Sequence, residues 1–208
     1  MLQTQTIEPD TFSLLKELMQ MHELRHFVLV GGTALSLKYG HRRSIDLDLF
    51  SYETFQRERL ISALQKQFRK DFFIEDKPKS FGIFCSIRGI KVDLVKYPHP
   101  RIADSYKVDD VRFISTEDII AMKVQAVFGR ARKKDFWDIA LLLDHYSVED
   151  FIRFHKDKYS TQNLMVTVPQ AISFFADAEE DADPVSLQGQ TWESVKSKIR
   201  EAVRGYLG

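Results

Sequence analysis

The spacing of apolar positions changes several times along the chain, and each change predicts a new element. Phe12, Leu15, Met19 and Leu24 recur near the helical period behind a Pro-Asp start, so residues 9–24 read as a first helix. HFVLVG, 26–31, is a short apolar, β-rich run closed by glycine and predicts a buried strand; TALSLKY behind it predicts a short helix. SIDLDLF, 44–50, alternates with period two, the pattern of a second strand whose Ile45, Leu47 and Leu49 face the core. Over 53–70, Phe55, Leu60, Leu64 and Phe68 form the buried stripe of an amphipathic helix. FFIEDK, FGIFCSI and IKVDLVKY follow as further sheet segments, and Arg88-Gly89 between the last two suits a tight hairpin.

After VRFI the pattern becomes helical. Ser115 is placed to cap a helix and Asp118, three residues on, to close a capping box; Ser147 and Asp150 repeat the arrangement. TEDIIAMKVQAVFG, KKDFWDIALLLDHY, SVEDFIRFHKDKY and NLMVTVPQAISFF all read as helices. Residues 179–190 are acidic, with Pro and Gly, and read as a linker before a last helix over 191–206. The expected organisation is α+β: a small mixed sheet with flanking helices over 1–113, then a helical region over 114–208.

Composition narrows the classes. A chain of 208 residues with 44% hydrophobic content can bury a sizeable core. Thirty basic residues balance thirty acidic ones, so a phosphate-bearing partner must be held by a local patch. The single cysteine, Cys85, excludes an internal disulfide framework and reads as a buried strand residue. No signal peptide begins the chain and no apolar run approaches the roughly 20 residues of a membrane helix, so a soluble, cytoplasmic protein without a membrane partner is expected. The histidines supply no zinc spacing, and no serine is placed for Ser-His-Asp catalysis.

The chemistry concentrates in aspartates. Asp46 and Asp48 project from one face of their predicted strand, about 7 Å apart at Cα, and repel each other unless a cation lies between them. Hard divalent ions prefer such oxygen ligands; a charged strand edge is the plainer alternative. Gly31 and Gly32 close one strand and open a helix with Thr33, where backbone N–H groups are exposed and can hold phosphate oxygens. Asp93 interrupts the β-rich IKVDLVKY on the face shared by Lys91 and Val95. Lys123 stands where the stripe Ile119, Ile120, Val124, Val127 asks for an apolar residue, either snorkelling to solvent or meeting a compensating charge. Asp135 and Asp138 share a helix face three residues apart, and Asp138 reads equally as an exposed helical acid. Arg42, Arg43 and Ser44 precede the Asp-x-Asp unit, either to neutralise phosphate and brace carboxylates or as a solvated loop. Arg130, Arg132, Lys133 and Lys134 form a basic run that is either solvated or an RNA-backbone contact.

Gly-Gly-Thr, Asp-x-Asp after a gap of twelve residues, and a later strand aspartate resemble the polymerase-β-like nucleotidyltransferase superfamily. More narrowly, GGTALSLKYGHRRSIDLDLF, KVDLV, STEDIIAMKVQAV and RKKDFWDIALLL resemble the AbiEii/AbiGii toxin family, in order from about residue 26 to 144. The resemblance implies a nucleotidyltransferase-fold core in which Asp46, Asp48 and Asp93 hold two Mg²⁺ ions, with Mn²⁺ as an alternative, and Asp93 lies on the base side. It implies nucleotide binding by Gly31, Gly32, Thr33, Arg43, Ser44 and Lys123, and a functional Asp135 that orients Lys123 or Lys134 or binds base or ribose. It implies transfer of a nucleoside monophosphate from a nucleoside triphosphate to an acceptor hydroxyl, on a tRNA or other RNA 3′ end or on a protein. A toxin role beside a cognate antitoxin, or in phage defence, comes with the resemblance. A catalytically silent fold that binds RNA or a partner, and a metal-dependent nuclease, are the competing classes.

Overall fold

A computed structural model describes residues 1–74 and 81–208, so Glu75, Asp76 and Lys77 of FFIEDK lie outside the described residues. The chain forms two compact units, Met1–Lys38 with Ser44–Pro100 and Ser105–Ile114, and Tyr39–Arg43 with Arg101–Asp104 and Ser115–Gly208.

Among the described residues the first unit is built on a seven-stranded mixed sheet. Its elements are α1 (Pro9–Gln20), β1 (Phe27–Leu29), α2 (Gly31–Tyr39), β2 (Leu47–Ser51), α3 (Arg57–Phe68), β3 (Phe72–Ile74), β4 (Gly82–Ile87), β5 (Ile90–Lys96), β6 (Tyr106–Val108) and β7 (Val111–Phe113). The strand order is β3-β4-β5-β2-β1-β7-β6. β2 runs parallel to β5 and β1 parallel to β7; the remaining pairs are antiparallel. Leu47, Leu49, Val92 and Leu94 are buried on one face of β2 and β5, and Leu14, Leu15 and Leu18 of α1 and Leu60 and Leu64 of α3 are buried as well. Each such side chain contributes roughly 1.5–3 kcal/mol.

The turns follow local chemistry. Arg88 (φ 52°) and Gly89 (φ 76°) both take the left-handed conformation that a tight β4–β5 hairpin requires. Asp109 and Asp110 do the same at φ 49° and 66°, closing a β6–β7 hairpin absent from the hydrophobic pattern, since aspartate tolerates this region better than most residues. Three boundaries differ from the sequence expectation. α1 stops at Gln20 because Met21 is extended, and Arg112 of β7 donates to the carbonyls of Met19, Leu24 and Phe27, holding the chain in that exit. α3 begins at Arg57, leaving Phe55 outside it with its ring 5.0 Å from that of Phe27. β2 begins at Leu47, so Ile45 is not in the core but 70% exposed, and Asp46 precedes the ladder.

The second unit holds α4 (Thr116–Gly129), α5 (Lys133–Leu142), α6 (Val148–Lys158), α7 (Val168–Ile172) and α8 (Trp192–Leu207). Ser147 and Asp150 form the expected capping box on α6. On α4, Ser115 accepts from the Asp118 N–H and its hydroxyl donates to the Asp118 carboxylate, which closes no capping box with the Ser115 N–H and accepts instead from the Ile102 and Ala103 N–H groups and from the Lys158 ammonium. The helix expected over NLMVTVPQAISFF shrinks to five residues, because a capping box between Thr167 and Gln170 fixes its start at Val168. Leu164, Met165 and Val166 before it are exposed. The segment read as a linker is tied down: Asp181 accepts from Arg132 and the Lys133 N–H, and Ser186 bridges to Arg42. Trp192 stacks on Trp137 at 5.7 Å between α8 and α5. Among the described residues no helix is long and apolar enough to cross a membrane.

Candidate active site

In the first unit the glycine turn and the carboxylates are built into each other. β1 ends where the Val30 N–H donates to the Asp48 carbonyl at 2.9 Å, which brings the next residue beside the Asp48 side chain. Gly31 there has φ +70°, and a Cβ on it would stand 2.9 Å from Asp48 Oδ2. The backbone conformation favours glycine, and any Cβ there would have to displace the Asp48 carboxylate. Thr33, 1% exposed, uses its hydroxyl internally: it pairs with Ser44 Oγ at 2.8 Å and donates to the Asp46 carbonyl. The Ser44 N–H donates to the Thr6 carbonyl. Asp46 is thus fixed by side chains although it lies outside the strand ladder.

Asp48 and Asp93 are register partners on the parallel strands β2 and β5, so their side chains leave the same face from Cα atoms about 4.8 Å apart. Lys91 shares that face, and its Nζ lies 3.2 Å from Asp93 Oδ2. Burial alone lowers the Lys91 ammonium; the charge and hydrogen bond of Asp93, with the charges of Asp46 and Asp48, outweigh it and raise Lys91 above the ordinary lysine value. One cation therefore feels all three aspartates, which places them in a common field. Hydrophobic alternation put Lys91 on this face without giving it a role. Among the described residues no group of three or more His, Cys, Asp or Glu side chains is gathered as an ion would require. The donor chemistry nonetheless fits a hard divalent ion: aspartate oxygens on one face, with Asp48 against the glycine turn.

The second unit carries a buried ion network. Lys123 does not snorkel: it is 5% exposed, and its Nζ lies 2.9 Å from Asp135 Oδ1 and 2.6 Å from Asp138 Oδ2. Asp138 is not an exposed helical acid but fully buried, accepting from Arg42 Nε and Nη2 at 2.7 and 2.8 Å and pairing with His41 Nε2 at 2.7 Å. Burial opposes ionisation of Asp138, but Arg42, Lys123 and the His41 hydrogen bond hold its carboxyl well below the ordinary carboxylate range. Lys123 is lowered by burial and raised more strongly by Asp135 and Asp138. Arg42 is therefore a buried brace, while Arg43 is exposed and its N–H donates to the Val185 carbonyl. His41, Arg42 and Asp138 are residues whose part in the network the sequence pattern undervalues; the available signal is an adjacent His-Arg pair and two aspartates at i, i+3.

A sequence profile of the nucleotidyl transferase AbiEii toxin family, of type IV toxin–antitoxin systems, matches residues 13–204. The chain belongs to the AbiEii family. This AbiEii-family protein is a nucleotidyltransferase, and its mixed sheet with flanking helices is the α+β architecture expected from the sequence. It is 29% identical over 191 residues to an uncharacterized protein of Aquifex aeolicus, covering 87% of this chain and 88% of that one. JHP933 from Helicobacter pylori superposes with a TM-score of 0.57 at 19% identity, over 95% of this chain and 92% of that one. MenT4, a nucleotidyltransferase toxin of Mycobacterium tuberculosis, superposes with a TM-score of 0.55 at 13% identity, over 94% and 84% of the two chains. At such identities the solved structures speak for the fold alone.

Proposed function

We propose that this protein transfers a nucleoside monophosphate from a nucleoside triphosphate to an acceptor hydroxyl, with Asp46, Asp48 and Asp93 as ligands of Mg²⁺ or Mn²⁺. The observation that carries the proposal is Asp48, paired in register with Asp93 and pressed against the Gly31 turn. Gly31 and Gly32 open α2, a nine-residue helix whose first N–H groups and dipole favour phosphate oxygens. Thr33 and Ser44 position the Asp46 segment through their shared hydrogen bonds. Asp93, on the separate strand, accepts the proton of the attacking hydroxyl. When bound, the metal supplies polarisation of the α-phosphate and neutralises the departing pyrophosphate. Asp135 acts through Lys123, holding α5 to α4 in the helical unit. The toxin role, an RNA 3′ end as acceptor and an antitoxin partner rest on family membership.

Purified protein incubated with each labelled nucleoside triphosphate, Mg²⁺, and total RNA or a protein fraction is expected to transfer label and release pyrophosphate. Absence of label transfer under every condition, together with absence of Mg²⁺-dependent triphosphate binding, would overturn the proposal. Lys91→Met is expected to tighten Mg²⁺ binding about threefold to tenfold in titration calorimetry, because a positive charge beside the carboxylates competes with the ion. Weaker binding in this variant would mean that Lys91 assembles the ligands instead.

A further inference from the structure

We propose that the sheet face carrying Asp48 and Asp93 continues into a stacking platform for unpaired bases of a single-stranded nucleic acid that receives the nucleotide. The proposal rests on the nucleotidyltransferase reading above and adds where its acceptor lies. Side chains two apart on a strand share a face. Phe50 therefore stands beside Asp48 on β2, and Phe84 of β4 is the ladder partner of Asp93 on its other side. Past the end of β5, the Tyr97 ring stacks on Phe50 at 5.1 Å and 23°, meets Tyr52 edge-on at 6.1 Å and lies 5.5 Å from His99. These rings are half-buried, unlike the opposite face, where Leu47, Leu49 and Leu94 are fully enclosed.

Direction along the strands assigns the occupant. The glycine turn meets β2 at Asp48, and the rings lie further along β2 and β5, beyond the carboxylates. Displacement at phosphorus places the departing pyrophosphate and the attacking oxygen in line on opposite sides. With the triphosphate tail at the glycines, the attacking hydroxyl arrives from the ring side. An acceptor there meets aromatic faces with polar edges, and the exposed cation Lys91 stands on the same face of β5, beside Asp93. Stacking surfaces flanked by positive charge match the bases and phosphates of a single strand, whereas a duplex keeps its base faces covered.

The test uses the full-length protein, a fluorescein-labelled single-stranded RNA with an unpaired 3′ end, and the same RNA annealed into a blunt duplex. The single strand is expected to bind at least about tenfold more tightly than the duplex. Phe50→Leu and Tyr97→Leu are each expected to weaken that binding about tenfold and to raise the acceptor KM in the transfer assay. Phe50→Tyr, which keeps a ring, is expected to bind as the parent does. Thermal melting verifies that each variant is folded. Leucine variants that bind the single strand unchanged, a wild type that prefers the duplex or ignores both RNAs, or an effect confined to triphosphate affinity would each overturn the platform. Those outcomes are separate from failure of the transferase reading, which shows as loss of Mg²⁺-dependent triphosphate binding and label transfer in the wild type.

Discussion

Asp138→Ala is expected to lower the unfolding free energy by about 3–5 kcal/mol, measured by urea denaturation at pH 7. The size follows from what the carboxylate holds. It is fully buried and receives the Arg42 fork, the Lys123 ammonium at 2.6 Å and the His41 ring at 2.7 Å. Removing it takes a carboxylate away from two buried cations, Arg42 and Lys123, and uncompensated buried charge is far more costly than a missing contact. Asp138→Asn keeps the shape and some hydrogen bonds, so its loss should be intermediate. The pH dependence has a definite sign. A carboxyl held below its ordinary value contributes fully above that value, 3.8, and its contribution is lost as pH falls from there through the lower folded value. The gap between wild type and Asp138→Ala should therefore persist from pH 7 to about pH 4 and close below it. A loss under about 1 kcal/mol at pH 7 would mean that the network is poorly coupled to folding.

Asp48→Asn is expected to reduce label transfer by about a thousandfold while leaving the thermal midpoint unchanged or slightly raised. Charge stabilisation by a bound metal is worth several kcal/mol, and each ~1.4 kcal/mol is a factor of ten in rate. Stability moves the other way because Asp48 faces Asp93 in register, and two neighbouring like charges on a sheet are mutually unfavourable. Opposite signs in the two measurements distinguish a functional carboxylate from a structural one. Activity within tenfold of wild type would remove Asp48 from the proposed metal site.

The sheet, the glycine turn and most helices were legible because they rest on local signals: period-two runs, Arg88-Gly89, and the Ser147-Asp150 capping box. The AbiEii resemblance was legible too, through segments in fixed order. What local signals do not carry is pairing across distance. That Asp48 and Asp93 both lie on one sheet face follows from alternation, but their register across parallel strands is set by the assembled sheet. Asp138 was misjudged because its partners Arg42 and His41 lie 96 and 97 residues away, and no periodicity distinguishes a solvated acid from one met by such partners. Ile45 was misjudged for a different reason: alternation was extended one turn of the pattern too far, into a segment whose conformation the Thr33 and Ser44 hydroxyls dictate. Asp118 shows that the same four-residue motif serves two ends, since its carboxylate was claimed by distant backbone and Lys158.

The short passage Tyr39–Arg43, between the glycine helix and the Asp-x-Asp strand, belongs to the helical unit. The chain therefore cannot be recombined as a front half and a back half. A graft of residues 1–113 onto another partner would carry Arg42 without the carboxylate that receives its fork, and the helices left behind would lose their cation. Divergence within such a protein must keep these five residues and α5 matched to each other, so the inheritable module is a discontinuous one, stitched through the sequence between the glycine turn and the Asp-x-Asp unit.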